Sequence, residues 1–143
     1  MVRPRKISDD DVLIGAIGAF WRNGYEATPW PRLEAVTGLN RRRLFNQFGD
    51  TQGLFVAALT RFCENATAQC LAPLEAPDAG LDTIVTTLRA IAADSLARDG
   101  RPGWLMCNSS REPIAVAAPV RKQLSLYFTR AEQAFGAALA NAH

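Results

Sequence analysis

The sequence predicts an all-α fold, in which an N-terminal unit of three helices precedes a helical body of about four helices. Apolar residues recur at three- and four-residue spacing nearly throughout, and no segment alternates apolar and polar residues as a half-buried strand would. No internal repeat is found. The 143 residues are about the size of one ordinary domain, and contents of 48% hydrophobic and 21% charged residues argue against wholesale disorder.

The first helix is predicted to begin after Ser8 and to end at Asn23. Ser8 is a typical N-cap residue, and the three aspartates that follow it place negative charge at the positive end of the helix dipole. Gly24 is expected to stop the helix in a left-handed conformation. The inward stripe of this helix comprises Val12, Leu13, Ala16, Ile17 and Phe20.

The second and third helices are short and are joined at Gly38. Thr28 is predicted to cap the second helix, with Pro29 and Pro31 in its first turn, where a missing amide costs least. Gly38 permits the sharp turn that a residue with a Cβ atom resists, which is typical of a helix-turn-helix. The inward positions of the second helix are Leu33 and Val36.

The third helix carries three consecutive arginines, Arg41 to Arg43. Its inward positions are Leu39, Leu44 and Phe48, which leaves residues 41–43 and 45–47 free to face a partner. A basic helix of this width suits the DNA major groove. The alternative is a solvated basic stretch in an ordinary helical bundle.

The body begins with a long helix predicted from about Thr51 to Leu71, capped by Asp50. Pro73 and Pro77 then mark a loop. A further helix is predicted from about residue 80 to residue 98. Its expected inward side chains are Leu81, Ile84, Val85, Leu88, Ile91 and Leu96.

Two more helices complete the expected body. A short one lies around residues 103–111 and stops before Pro113, and the last one begins at Pro119. The last helix presents apolar residues at helical spacing: Val120, Leu124, Phe128, Ala131, Phe135 and Leu139.

The charge is distributed unevenly along the chain. The net charge is +2, but residues 1–62 carry nine basic and six acidic residues, a net of +3, whereas the remainder carries a net of −1. The basic excess therefore lies in the half that contains the arginine cluster, as a small nucleic-acid-binding surface requires.

The cysteine content and the hydropathy pattern predict a soluble cytoplasmic protein without a membrane partner. Cys63, Cys70 and Cys107 are odd in number and lack C-x-x-C spacing, so neither a disulfide framework nor a zinc site is indicated. Three small buried hydrophobic residues in a reduced cytoplasm are favoured over a redox sensor. The basic N-terminus is not followed by the apolar region of a signal peptide, and no apolar run is long enough to span a membrane.

The sequence does not predict an enzyme, and it predicts no cofactor. The single histidine, His143, is the last residue, so no Ser/His/Asp or Cys/His arrangement can be assembled around it. No glycine-rich phosphate-binding loop is present either.

Four motifs stand at characteristic spacing in the N-terminal part of the chain: FWRNGYEAT at 20–28, TGLN at 37–40, LFNQFGD at 44–50 and LF at 54–55. With these motifs, residues 7–60 resemble the tetracycline-repressor (TetR) family of transcriptional regulators. The segment GWLMCNS at 103–109 resembles part of the sensor domain more loosely. The resemblance implies a DNA-binding domain at residues 1–50 and a ligand-sensing and dimerisation domain at residues 51–143. It also implies a homodimer that represses transcription at a palindromic operator until a small molecule displaces it.

The chain departs from the family pattern at several positions. Phe45 and Thr51 replace a tyrosine and a lysine that usually touch DNA phosphates, whereas Arg42 and Arg43 stand where small or neutral residues are usual. We infer that these arginines restore the lost attraction to phosphates. Family members usually continue with two more helices that form most of the dimer interface, so the resemblance leaves dimerisation open. The body is classed as incomplete on this ground.

The candidate DNA-binding residues are Thr28, Arg32, Arg41, Arg42, Arg43, Phe45, Asn46, Gln47 and Thr51. Arg41 is expected to reach base edges, and Arg43 is expected to lie toward the backbone. Asn46 and Gln47 either read adenine, hold phosphate or are merely polar surface. Phe45 either packs on sugars and thymine methyl groups or packs within the N-terminal unit. A phosphate contact is secondary to capping for Thr28.

An apolar effector pocket is a further, tentative expectation. Its candidate lining residues are Phe55, Phe62, Trp104, Met106, Tyr127 and Phe128, for each of which core packing is the competing interpretation. The predicted function is thus a ligand-responsive repressor that binds double-stranded operator DNA. The alternative is a truncated interaction protein that does not bind DNA, or a small-molecule-binding bundle. The incomplete body is also expected to expose apolar side chains: Leu88, Ile91, Val120, Leu124 and Phe128.

Overall fold

The computed structural model describes residues 5–97 and 103–142, and within these ranges all regular secondary structure is helical. The predicted all-α fold class is confirmed. The α-helices are α1 (Asp9–Asn23), α2 (Trp30–Thr37), α3 (Arg41–Phe48), α4 (Thr51–Ala66), α5 (Leu81–Ala97), α6 (Leu105–Ser109) and α7 (Ala118–Ala140).

Helix α1 begins and ends as its sequence predicts. The Ser8 hydroxyl accepts a hydrogen bond from the Asp11 amide at 3.1 Å, and the Asp11 carboxylate accepts one from the Ser8 amide at 3.0 Å. This reciprocal capping box satisfies two N–H groups that the helix leaves without partners. Gly24 ends the helix at a φ of 79°, but its ψ of 170° is extended, so the predicted left-handed helical stop is correct only in φ.

The predicted N-cap of α2 is wrong. Pro29 occupies the cap position and no side chain caps the helix. The Thr28 side chain is 2% exposed, and its hydroxyl donates to the carbonyl oxygens of Gly24 at 2.5 Å and of Ala19 at 3.5 Å. The hydroxyl therefore donates to carbonyl oxygens at the C-terminal end of α1, where carbonyl groups lack partners within the helix.

Helices α2 and α3 form the predicted helix-turn-helix. Gly38 adopts φ 74° and ψ 6°, the left-handed conformation that a residue with a Cβ atom reaches only with strain. Leu33 is fully buried, whereas Val36 is only half-buried. Asn40 caps α3 by accepting a hydrogen bond from the Arg43 amide at 2.9 Å.

Helix α4 ends at Ala66, and a π turn carries the helical segment on to the predicted end at Leu71. Asp50 caps the start by accepting from the Gly53 amide at 2.8 Å, as predicted. The α-helical hydrogen bonding gives way to a π turn at Thr67–Leu71, and a 3₁₀ turn at Ala72–Glu75 follows.

Helix α5 buries much less than its sequence predicts. Only Ile84 of the six expected inward side chains is buried, and Ile91 is half-buried. The exposed ones are Leu81, Val85, Leu88 and Leu96. The reason is that α5 packs mainly against α7 and the 3₁₀ turn, which cover one narrow side of it. The predicted end at Arg98 lies outside the described residues.

Helix α7 follows α6 and a 3₁₀ turn at Pro113–Val116. Its Val120 and Leu124 are buried, so the expectation that both are exposed is wrong. Leu88 and Phe128 are exposed as expected, at 52% and 37%.

One hydrophobic core joins the N-terminal helices to the body. Phe20 of α1 meets Phe55 of α4 edge-on, with ring centroids 4.8 Å apart. Trp21 of α1 meets Phe62 of α4 at 5.0 Å, and Phe62 meets Trp104, which precedes α6, at 5.1 Å. Since α3 ends only two residues before α4 begins, this core also fixes the direction of α3.

Candidate nucleic-acid interface

Helix α3 is attached to the core by its inner side alone. Leu44 is completely buried, Leu39 just before the helix is 6% exposed, and Phe48 is half-buried. The positions predicted to be free, 41–43 and 45–47, are all exposed. Six of the eight residues of α3 therefore face solvent, in the arrangement that the sequence predicts.

The centre of the free face is formed by Arg42 and Asn46. Successive residues of an α-helix are rotated by about 100°, so positions two before and two after Leu44 lie opposite that buried side chain. Phe45 lies beside them and is 55% exposed, which excludes the interpretation that it is packed within the N-terminal unit. An aromatic ring flanked by an arginine and an amide offers contacts for both phosphates and base edges.

Arg41 occupies the edge of the face rather than its centre. Its guanidinium carbon lies 5.6 Å from the ring centroid of Trp30, at the start of α2, which is cation–π distance. In contrast, the side chains of Arg42 and Arg43 form no ion pair or hydrogen bond with other described residues. Two guanidinium groups are thus available to an anionic partner, and a third is held beside them.

The remaining predicted DNA-binding residues are placed unequally. Arg32 is exposed on α2 and donates to the Asn23 side-chain oxygen at 2.7 Å. Thr51, the first residue of α4, is half-buried, and its hydroxyl lies 3.1 Å from that of Tyr25. The Thr28 side chain is buried, and its phosphate contact, which was secondary to capping, stays a prediction that this burial opposes. Gln47 is exposed near Phe48 and lies to one side of the free face.

The six predicted effector-contacting residues do not meet in one pocket. Phe62 and Trp104 line a cavity of 190 Å³ between α1 and α4. Tyr127 lines a separate open groove of 530 Å³ between α4 and α7. Phe55 and Met106 are fully buried in the core and line neither space, and Phe128 is exposed outside both. Core packing is therefore the correct interpretation for Phe55 and Met106.

The 530 Å³ groove combines polar and apolar walls that the sequence pattern did not indicate. Its lining includes Thr60, Cys63, Glu64, Gln123, Leu126 and Arg130. These residues are of mixed character and come from two helices distant in sequence, so no local signal could have grouped them. The π turn that begins at Thr67 forms part of the same wall, and such turns occur often at functional sites.

Two titratable groups of the groove are kept neutral by burial. Burial raises the pKa of the Cys63 thiol to about 11, with a smaller contribution from the nearby Glu64 carboxylate. Burial also raises the pKa of Tyr127 to about 12, against the opposing effect of the hydrogen bond from Trp104. The Trp104 indole nitrogen donates to the Tyr127 hydroxyl at 2.9 Å. The groove therefore presents a neutral thiol and a neutral, oriented hydroxyl at physiological pH.

Two further findings limit the chemistry of the described residues. No cluster of three or more His, Cys, Asp and Glu side chains among them could hold a metal ion. None of the helices in the described ranges has the length and apolar character needed to cross a membrane.

The sequence is similar to helix-turn-helix-type transcriptional repressors. It is 31% identical over 108 residues to the repressor ComR of Escherichia coli (strain K12), a match that covers 75% of this chain and 51% of ComR. It is 42% identical over 50 residues to the repressor AcnR of Corynebacterium glutamicum, covering 35% of this chain and 27% of AcnR. The chain thus spans about half the length of ComR. It matches no protein-family model.

The fold is similar to that of a solved regulator bound to DNA. A cysteine mutant of the TetR family transcriptional regulator CifR, complexed with 26-bp double-strand operator DNA, matches with a TM-score of 0.72 at 24% identity. The match covers 94% of this chain and 75% of CifR. Fold and site define an all-helical protein of the helix-turn-helix class. The predicted resemblance to the TetR family is confirmed in the fold, which is similar to that of this TetR-family regulator.

Proposed function

We propose that this protein is a DNA-binding transcriptional repressor that acts in the cytoplasm on a palindromic operator. Residues 1–50 would form its DNA-binding domain, and residues 51–143 its sensing and dimerisation domain. The division is one of function, because a single core runs through both parts. The role is one of binding, without catalysis.

The observation that carries this proposal is the exposed face of α3. Its basic and amide side chains surround an exposed aromatic ring, while one leucine anchors the helix from behind. Arg42 and Asn46 are assigned to the bottom of the major groove, because they lie opposite the anchor. Arg43 and Arg32 are assigned to the phosphate backbone on either side, and Gln47 and Thr51 to its margin.

We propose the 530 Å³ groove as the place where a small, largely apolar effector binds. The apolar part of its wall, which includes Leu126 and Tyr127, would contact such a molecule, and the oriented Tyr127 hydroxyl would supply one specific polar contact. The protein would act as a homodimer, because a palindromic operator has two half-sites about 34–36 Å apart. Effector binding would alter the direction of α4 and so change the spacing of the two α3 helices.

The test of DNA binding is fluorescence anisotropy of the full chain with a mixed-sequence duplex between 50 and 200 mM salt. With about three to five phosphate contacts per subunit, affinity should fall at least tenfold over this range. Affinity that does not change with salt, or no binding at the lowest salt, would favour the alternative of an interaction protein that does not bind DNA.

A matched pair of double variants tests whether α3 forms the surface. Arg42→Ala with Arg43→Ala should reduce the magnitude of the slope of log affinity against log salt by about 0.9, because each neutralised phosphate contributes about 0.9 and only Arg43 of the two is assigned to a phosphate. Arg121→Ala with Lys122→Ala removes the same charge from the exposed start of α7 and should leave the slope nearly unchanged. Equal effects of the two pairs would show that overall charge, and not α3, determines binding.

A further inference from the structure

The segment from Trp104 to Glu112 contacts the groove at one end and the N-terminal helices at the other. At the first end, the Trp104 indole donates to the Tyr127 hydroxyl in the groove wall at 2.9 Å. At the other end, the Glu112 carboxylate accepts a hydrogen bond from the backbone N–H of Tyr25 at 2.7 Å. Helix α6 and the turn after it, in which the Glu112 amide donates to the Ser109 carbonyl at 3.2 Å, connect these two contacts.

The Glu112 carboxylate also lies directly against Gly24. A Cβ atom at Gly24 would lie only 2.9 Å from a carboxylate oxygen of Glu112, so a larger residue there would displace the carboxylate. Gly24 also has a positive φ of 79°, which favours glycine on its own account. The turn after α1 is thus shaped to admit an acidic side chain from the body.

Tyr25 is the point at which three parts of the molecule meet. Its amide is held by Glu112, its hydroxyl lies 3.1 Å from that of Thr51 at the start of α4, and its ring lies 5.0 Å from that of Phe55. The same residue begins the connection to α2, the first helix of the helix-turn-helix. A displacement of Glu112 would therefore change the support of α2 directly, without first tilting α4.

We propose that Glu112 is a positioning residue that couples the groove at Tyr127 to the helix-turn-helix through its contact with the Tyr25 amide. A molecule that donates a hydrogen bond to the Tyr127 hydroxyl in place of Trp104 releases one end of the segment 104–112. It thereby weakens the hydrogen bond between Glu112 and the Tyr25 amide at the other end. The class of molecule is a small one with a hydrogen-bond donor that competes for this hydroxyl. The coupling to DNA rests on the proposed function, whereas the contact itself does not.

The contact is tested by amide hydrogen exchange at Tyr25, measured by NMR on the full chain. Glu112→Ala removes the acceptor and should speed exchange of this amide by about tenfold or more, because a charge-assisted hydrogen bond is lost. Glu112→Gln keeps an acceptor oxygen and should keep most of the protection. Glu132→Ala, which removes an exposed carboxylate on α7, should change nothing at Tyr25. Protection that survives in Glu112→Ala, or that is lost equally in the Gln variant, would overturn the assignment.

The coupling is tested by Tyr127→Phe, which removes the hydroxyl that Trp104 contacts without requiring a known effector. This variant should speed exchange at Tyr25 in the wild-type background and should add nothing in the Glu112→Ala background. Equal effects in both backgrounds, or no effect in the first, would overturn the coupling.

The consequence for DNA is measured on the same variants with the mixed-sequence duplex. Glu112→Ala should bind at least about fivefold more weakly than Glu132→Ala, the lower end of typical coupling between sites, although both lose one negative charge. Equal affinities would overturn the positioning role. If no variant binds DNA at low salt, the proposed function fails, and the exchange measurements still decide whether the segment connects Tyr127 to Tyr25.

Discussion

Helices α3 and α5 each contact the rest of the protein along one narrow side, yet their outer faces are opposite in character. The outer face of α3 carries charged and amide groups that are stable in water, around a single exposed ring. The outer face of α5 carries Leu81, Val85, Leu88 and Leu96, which are between 36% and 89% exposed. The difference shows that an exposed helix face identifies a binding surface only through its chemistry. Polar groups on α3 indicate an anionic partner, whereas α5 indicates only apolar surface without a cover.

The largest expected effect is the difference in stability loss between a substitution on the inner side of α3 and one on the outer face of α5. Leu44→Ala should lower the free energy of unfolding by about 3–5 kcal/mol, because it leaves a cavity in a completely buried site. Leu88→Ala, the same substitution at a position that is 52% exposed, should cost less than about 1 kcal/mol. Urea denaturation of both variants measures the difference. Similar losses would mean that Leu88 is covered in solution.

The sequence predicted α3 correctly because its pattern is unambiguous. A single buried leucine among five polar or basic neighbours and one phenylalanine permits only one orientation of the helix. In α5 the apolar residues lie on more than one side, so the same periodicity identified a helix but not the side that is buried. That choice depends on α7 and the 3₁₀ turn, which pack against α5 only in the folded chain.

Two errors in the predicted site have a similar origin. Thr28 has the right residue type and position for an N-cap, but its hydroxyl instead donates a hydrogen bond to the Gly24 carbonyl at the end of α1. Glu112 was not predicted at all, because its partner Tyr25 is 87 residues away and no local pattern connects them. Residue type alone predicts the six effector candidates, and it does not distinguish the fully buried Phe55 and Met106 from the exposed Phe128.

The second prediction concerns differences within the α3 face. The sequence predicts base contacts for Arg41, whereas we propose them for Arg42, because Arg41 lies over the Trp30 ring at the edge of the face. On an operator selected from a random pool, Arg42→Ala should cost about 1–3 kcal/mol of binding free energy and relax the preference at one base pair. Arg43→Ala should weaken binding to all sequences alike. Competition assays with single-base operator variants measure both effects, and relaxed specificity in Arg41→Ala alone would support the assignment from sequence.

The third prediction concerns the capping box that begins α1, which α2 lacks. Ser8→Ala should lower the free energy of unfolding by about 1 kcal/mol at neutral pH. Hydrogen bonds from the Ser8 amide and hydroxyl lower the pKa of the Asp11 carboxyl below its ordinary value of 3.8. A carboxyl whose pKa is lowered by folding stabilises the protein above its ordinary pKa, and this contribution is lost as the pH falls through the lower folded value.

The difference in the free energy of unfolding between wild type and Ser8→Ala should therefore become smaller as the pH is lowered from neutral to below 3.8. Thermal unfolding at several pH values measures this. Thr28→Val serves as a contrast, since it removes a hydroxyl that is not a cap and is bonded to carbonyl groups at every pH. A Ser8→Ala effect that stays constant down to acid pH would show that the hydrogen bond from the Ser8 hydroxyl to the Asp11 carboxylate contributes nothing to stability.

The smallest effect on stability, with a separate effect on association, is expected at the outer face of α5. Leu81→Ser with Leu88→Ser should change the free energy of unfolding by less than about 1 kcal/mol in total, because both side chains are more than half exposed.

Apolar surface left uncovered favours association, since burial is worth about 25 cal/mol per Å². We therefore expect the wild-type chain to self-associate through this face and the double variant to do so less. Sedimentation velocity over a wide concentration range compares them, with Leu126→Ser, at an exposed leucine of α7, as the control. Equal association of wild type and variant would place the contact elsewhere, and a wild-type monomer at high concentration that binds no apolar dye would refute the expectation that the α5 face drives association.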